Sequence, residues 1–162
     1  MDPVQKLLAI EAIRQTKARY FRGVDTGDGA LVRSILAEDC VLDYTDCFVD
    51  PASGHDYFPE LSMIMRGREA YSGNGLSDIG IFSAHHGPNC EIELHDERSA
   101  RAIWSMSDRL VRSRNGGYQE LLGFGYYHET YIKDHDLWYI KTLRLVRTRV
   151  EARSVEPSIG FR

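Results

Sequence analysis

Apolar residues near the start of the chain recur with helical spacing. Ile10, Ile13, Tyr20 and Val24 follow one another at steps of three, seven and four, which keeps them on one face. This predicts a helix from about Pro3 to Val24, with Pro3 suited to its first turn. The run Asp25-Thr26-Gly27-Asp28-Gly29 breaks the pattern, and Asp28 can cap a short second helix reaching Leu36. From Asp39 to Tyr44 the period changes to two, with Cys40, Leu42 and Tyr44 on one side of a strand. Thr45 to Met65 is irregular and contains Pro51, Gly54 and Pro59, as expected of a long functional loop. A third short helix is expected from Arg68 to Tyr71 and a little beyond.

The second half reads as strands. Cys90, Ile92 and Leu94 alternate with Glu91, Glu93 and His95, so one face is buried and the other wet. After a turn at Asp96-Glu97-Arg98, the next strand keeps Ala100, Ala102, Trp104, Met106, Asp108 and Leu110 in phase. Asn115-Gly116 signals a hairpin turn. Two long strands follow, about Tyr118 to Lys133 and Leu137 to Glu151, joined through Asp134-His135-Asp136, and residues 152–162 read as a tail. Helices first and antiparallel strands afterwards predict an α+β fold in a single domain, residues 1–151. A helix lying across a strongly curved sheet leaves a cavity at the open end.

Composition narrows the class. The chain has 162 residues, 43% of them hydrophobic and 27% charged, within the range of one globular domain. A net charge of −4 provides no basic footprint for nucleic acid or an anionic membrane. No apolar run approaches the roughly 18–20 residues of a membrane span, and the N-terminus lacks the pattern of a signal peptide. Cys40, Cys47 and Cys90 are an odd, sparse set and read as reduced thiols of a cytoplasmic protein. Their spacing matches no structural zinc site, and Gly23, Gly27 and Gly29 make no phosphate loop, so neither metal nor nucleotide cofactor is expected.

Asp108 is the most informative position, because its phase sets a carboxylate among buried apolar residues. Such a group needs a hydrogen-bonding partner or a polar cavity. It is either an orienting or proton-transferring acid, or one half of a salt bridge with an arginine. His85 and His86 precede Gly87-Pro88. Simple alternation back from Ile92 turns His86 inward, whereas a bulge at Gly87 turns His85 inward. A buried histidine beside a carboxylate makes a usable general base. Tyr20 and Tyr44 fall on apolar faces, either as donors to a developing oxyanion or as core aromatics. Asp25 either lines the pocket or caps the helix exit. Arg144, Arg147 and Arg149 read as a solvated face or ion pairs.

At these residues the chain resembles a known family. The run Lys17-Ala18-Arg19-Tyr20-Phe21-Arg22-Gly23-Val24-Asp25, then Leu36 to Tyr44, His85-His86-Gly87-Pro88-Asn89, Gly125 to Tyr131 and Trp138 to Lys141, are similar to SnoaL-like proteins of the nuclear-transport-factor-2-like superfamily. Within it, the pattern is nearest to bile-acid 7α-dehydratase and scytalone dehydratase. The resemblance implies a cone of curved, mixed or antiparallel sheet with about three helices around one pocket. It implies His85 as base, Asp108 or Asp25 as its carboxylate partner, and Tyr20 and Tyr44 as donors. Trp104, Met106, Tyr127 and Phe58 are expected to contact substrate. The implied activity is that of a cofactor-independent lyase or isomerase acting beside a carbonyl on a hydrophobic cyclic molecule. A non-catalytic small-molecule binder or a dimeric interaction module of the same fold is the alternative. A homodimer or higher homo-oligomer through the outer sheet face is expected, since the family is mostly oligomeric.

Overall fold

The computed structural model describes the backbone of residues 1–114 and 117–155. The expected Asn115-Gly116 turn and residues 156–162 of the expected tail lie outside the described residues. Helix α1 spans Pro3–Thr26 and opens with a reciprocal cap in which Asp2 and Gln5 each bind the other's backbone N–H. Its buried stripe is Ala9, Ile13, Thr16, Lys17, Tyr20 and Val24, and Ile10 is only half-buried. Helix α2, Gly29–Ser34, is capped by the Asp28 carboxylate, as expected, but stops two residues earlier than Leu36. Ile35 and Leu36 leave the helix because they pair with the sheet: Ile140 donates its N–H to the Ile35 carbonyl at 2.9 Å.

Strands β1 (Leu36–Asp43), β2 (Ile64–Arg66), β3 (Ile81–His86), β4 (Cys90–Leu94), β5 (Ser99–Arg114), β6 (Gly117–Asp134) and β7 (Leu137–Val155) form one sheet. Its order is β2-β1-β7-β6-β5-β3, and β4 also pairs with β5. β1 and β7 are parallel and all other pairs antiparallel, so the sheet is mixed. It is not closed into a barrel, and α1 packs across its buried face. The expected third helix is a single 3-10 turn, Arg68–Ala70, too short to bury a face of its own. β7 runs through Val155, past the expected end at Glu151, because it continues to pair with β6 as far as Tyr118.

Three irregularities in register decide which side chains face α1. β3 and β4 both pair with β5: His86 lies opposite Ser107 and Cys90 opposite Trp104. Between them, residues 87–89 oppose only Ser105 and Met106, and this extra residue reverses the phase, turning His85 inward and His86 outward. β7 shifts register against β6 twice, once opposite Thr130/Tyr131 and once opposite Phe124/Gly125. Between the shifts Leu143, Leu145 and Arg147 are buried and Arg144 is exposed; beyond the second shift Arg149 is exposed.

Candidate active site

Between α1, the sheet and the segments 45–63 and 71–79 lies a cavity of about 100 Å³. Helix α1 contributes Tyr20 and Val24, and β3 contributes His85. The long strands contribute Asp108, Leu110, Tyr127, Leu145 and Arg147. The irregular loop does wall the cavity, through Cys47, Phe48 and Leu61, and Tyr71 and Leu76 close the remaining side. A larger open groove of about 790 Å³ crosses the other side of the sheet, among exposed residues such as Glu93, Arg101, Thr130 and Arg144. Its charges are solvated, so the smaller cavity, with ionisable groups shielded from water, is the candidate site.

His85 is held through one end of its ring and through its backbone. Nδ1 lies 2.6 Å from Asp25 Oδ1, and the His85 backbone N–H donates to Asp25 Oδ2 at 2.9 Å. Ser83 donates its hydroxyl to Asp25 Oδ1 at 2.8 Å. Asp25 sits in the last turn of α1, where the helix dipole disfavours an anion. Burial would raise its carboxyl further, but the His85 ring and backbone and the Ser83 hydroxyl outweigh burial and hold it below the usual carboxylate range. Its hydrogen bonds thus run to β3, and the turn after α1 is closed by backbone N–H groups of Gly27 and Asp28 instead. With Asp25 accepting from Nδ1–H, Nε2 carries the lone pair. Phe21 stacks on the ring at 5.6 Å and 12°, and any side chain at Gly87 would meet the Phe21 ring at 2.6 Å.

Asp108 is 4% exposed and its carboxylate is occupied by Arg147, which donates from both terminal nitrogens at 3.0 and 2.6 Å. The same guanidinium donates from Nε to the Cys47 carbonyl at 2.8 Å, pinning the loop. Burial alone would lower the Arg147 pKa; the adjacent Asp108 reverses that and raises it. Asp108 Oδ2 is 3.7 Å from His85 Nε2, within Coulombic reach but outside hydrogen-bonding distance. Of the two sequence alternatives for Asp108 the arginine salt bridge is present, and the carboxylate also lines the cavity. The imidazole partner is Asp25, not Asp108. Opposite them the Tyr20 and Tyr44 hydroxyls are 2.6 Å apart, and burial raises both phenols, keeping them protonated donors.

Three of the expected substrate contacts are displaced. Trp104 does not line the cavity but donates from its indole N–H to the Tyr131 hydroxyl at 3.1 Å. Phe58 stands behind Phe48 at 5.1 Å and under the Arg112 guanidinium, one layer away from the cavity. Met106 meets Arg147 through its sulfur at 3.2 Å. Tyr127 lines the cavity as expected. Arg147, read from sequence as part of a solvated face or an ion pair, forms the ion pair, and its burial was signalled by its phase with Leu143 and Leu145. The cysteines are all free, and burial pushes the Cys47 thiol up to about 12. Among the described residues no group of three or more His, Cys, Asp or Glu is arranged to hold a metal, and no helix is long and apolar enough to cross a membrane.

The family model of the SnoaL-like domain matches residues 5–144. The chain belongs to the SnoaL-like family. Solved structures agree on the fold. A Novosphingobium aromaticivorans protein named as a candidate scytalone dehydratase superposes with a TM-score of 0.70 at 20% identity, covering 98% of this chain and 97% of that one. A type 2 hexachlorocyclohexane dehydrochlorinase gives a TM-score of 0.71 at 16% identity, with 98% and 96% covered. The type 3 dehydrochlorinase of Novosphingobium barchaimii gives 0.70 at 17%, with 98% and 97% covered. At these identities the SnoaL-like cone is what is shared.

Proposed function

We propose that this SnoaL-like protein is a cofactor-independent acid–base lyase or isomerase acting beside the carbonyl of a hydrophobic cyclic molecule. The observation that carries the reading is the His85 ring, bonded through Nδ1 to Asp25 with Nε2 left on the side of the cavity that Asp108 lines. Nε2 takes the proton α to the carbonyl, and the C–H electron pair forms the enolate. The developing charge on the carbonyl oxygen is met by a donor from the Tyr20–Tyr44 pair. The imidazolium then stands between Asp25 and Asp108, and collapse of the enolate either expels a β-substituent or takes the proton back at another carbon. Names of the fold neighbours, dehydratase and dehydrochlorinase, are compatible with the eliminating branch.

Volume bears on substrate size. Pockets for drug-sized ligands measure roughly 300–1,000 Å³, and an apolar cavity of about 150 Å³ admits benzene. The cavity of about 100 Å³ is smaller than both, so a ring substrate must extend through its open side or displace segments 45–63 and 71–79, the more so the larger the ring system. The test is solvent deuterium wash-in and elimination on a panel of monocyclic ketones and β-hydroxyketones, followed by mass spectrometry. Label entering the α position with wild type and not with His85→Gln supports the reading. Equal rates for both proteins, or binding with neither exchange nor elimination, would point to a non-catalytic binder.

A further inference from the structure

Beneath the cavity lies a second set of buried charges with no part in the chemistry above. Lys17 is 1% exposed and its Nζ is 2.5 Å from Glu129 Oε1. Glu129 Oε2 accepts from the Tyr131 hydroxyl, whose oxygen accepts from Trp104. The ammonium also lies over three ring faces, at 3.5 Å from the centroid of Tyr127, 4.5 Å from Tyr20 and 4.6 Å from Phe21. Stability alone does not account for this arrangement, since a buried ion pair is often replaced by apolar residues without loss. The identity of the rings is more telling. Tyr20 and Tyr127 line the cavity, and Phe21 stacks on His85.

We propose that Lys17 is a positioning residue: its caged ammonium fixes the rings of Tyr20, Phe21 and Tyr127 and favours negative charge on the Tyr20 oxygen. A cation on a phenol face is attracted by the ring and by any charge the oxygen gains as it donates. Burial keeps Tyr20 protonated, and Lys17 strengthens it as a donor towards an oxyanion without touching substrate. That consequence for turnover rests on the lyase reading; the coupling of Lys17 to Tyr20 does not. Burial also lowers the Lys17 pKa to about 8, against the opposing pull of Glu129. The groups facing its ammonium are Tyr20 from α1 and Tyr127 and Glu129 from β6, with Tyr131 behind Glu129. Burial raises all three tyrosines well above 10, so Lys17 titrates before they do.

The experiment is NMR of the full chain labelled at the tyrosine phenol carbon, titrated from about pH 6 to 10, a range that brackets the ordinary histidine and lysine values. The expected result is a Tyr20 and Tyr127 shift with its midpoint near 8, absent from Lys17→Met. Lys17→Met/Glu129→Gln, neutral and close in shape, guards against misfolding of the single variant and should lack the step as well. A step that persists in a folded Lys17 variant, or flat Tyr20 and Tyr127 resonances in the wild type, would overturn the proposal. A step that follows Lys17 in a protein that turns over none of the panel would uphold the positioning and count only against the lyase reading.

Discussion

Asp25 and Asp108 flank the same imidazole and do different work. Asp25 is half-buried, has no Lys or Arg partner among the described residues, and commits its oxygens to the His85 ring, the His85 backbone and Ser83. Asp108 is fully buried and already neutralised by the bidentate Arg147. A carboxylate committed to a guanidinium is a poor orienter of a neutral ring 3.7 Å away, but a good neighbour for that ring once it is charged. The comparison teaches that proximity to a histidine does not identify its partner; the competing donors do.

The largest effect should come from the ring between the two acids. His85→Gln is expected to lose on the order of 10²- to 10⁴-fold in turnover, the usual contribution of a general base, with its melting temperature nearly unchanged. Arg147→Met breaks the comparison from the other side by leaving Asp108 as an uncompensated buried charge. A cost of about 3–5 kcal/mol should lower the melting temperature by roughly 6–20 °C in a chain of this length. The double variant Asp108→Asn/Arg147→Met should recover part of that loss. Asp25→Asn, which can no longer select the Nδ1–H tautomer, should cost up to about 10⁴-fold in turnover and little stability.

Gly123 tests how closely the ion pair is packed. It lies opposite Asp108 in the β5–β6 ladder, and a Cβ there would collide with Arg147 Nη1 and Asp108 Oδ1. Gly123→Ala should destabilise by about 1–3 kcal/mol, read by urea unfolding. The smallest effect concerns pH. A carboxyl whose folded pKa is depressed contributes stability above its unfolded pKa and loses it as pH falls through the folded value. The difference in melting temperature between wild type and Asp25→Asn should therefore not narrow between about pH 7 and 5, and should close only below the ordinary carboxylate value of about 4.

Much of this was legible where the hydrophobic pattern is regular. β5 alternates from Ala100 to Leu110 without interruption, so Asp108 was placed inside from sequence. The α1 stripe likewise set Tyr20 correctly, and Lys17 shares that stripe, four residues after Ile13, although a lysine is ordinarily read as exposed. The bulge at Gly87 was legible only as one of two alternatives. The extra residue at 87–89 inverts the phase of β3 relative to β4; plain alternation pointed to His86, a Gly87 bulge to His85, and the family resemblance to His85. Arg147 shares the phase of Leu143 and Leu145, but an arginine is ordinarily read as exposed and it was grouped with its neighbours Arg144 and Arg149. The roles of Asp25 and Asp108 depend on hydrogen bonds between distant segments, which a local pattern does not encode. The displacement of Trp104 and Phe58 from the cavity has the same origin, because a correct face does not specify which layer of that face meets the void.

The most direct test of the Asp25–His85 assignment is the tautomer of His85, read by nitrogen NMR on the neutral ring of the labelled protein. The structure predicts a proton on Nδ1, bonded to Asp25, and an unprotonated Nε2, with Asp25→Asn disturbing that preference. A proton resident on Nε2 would leave no base facing the cavity and would contradict the account.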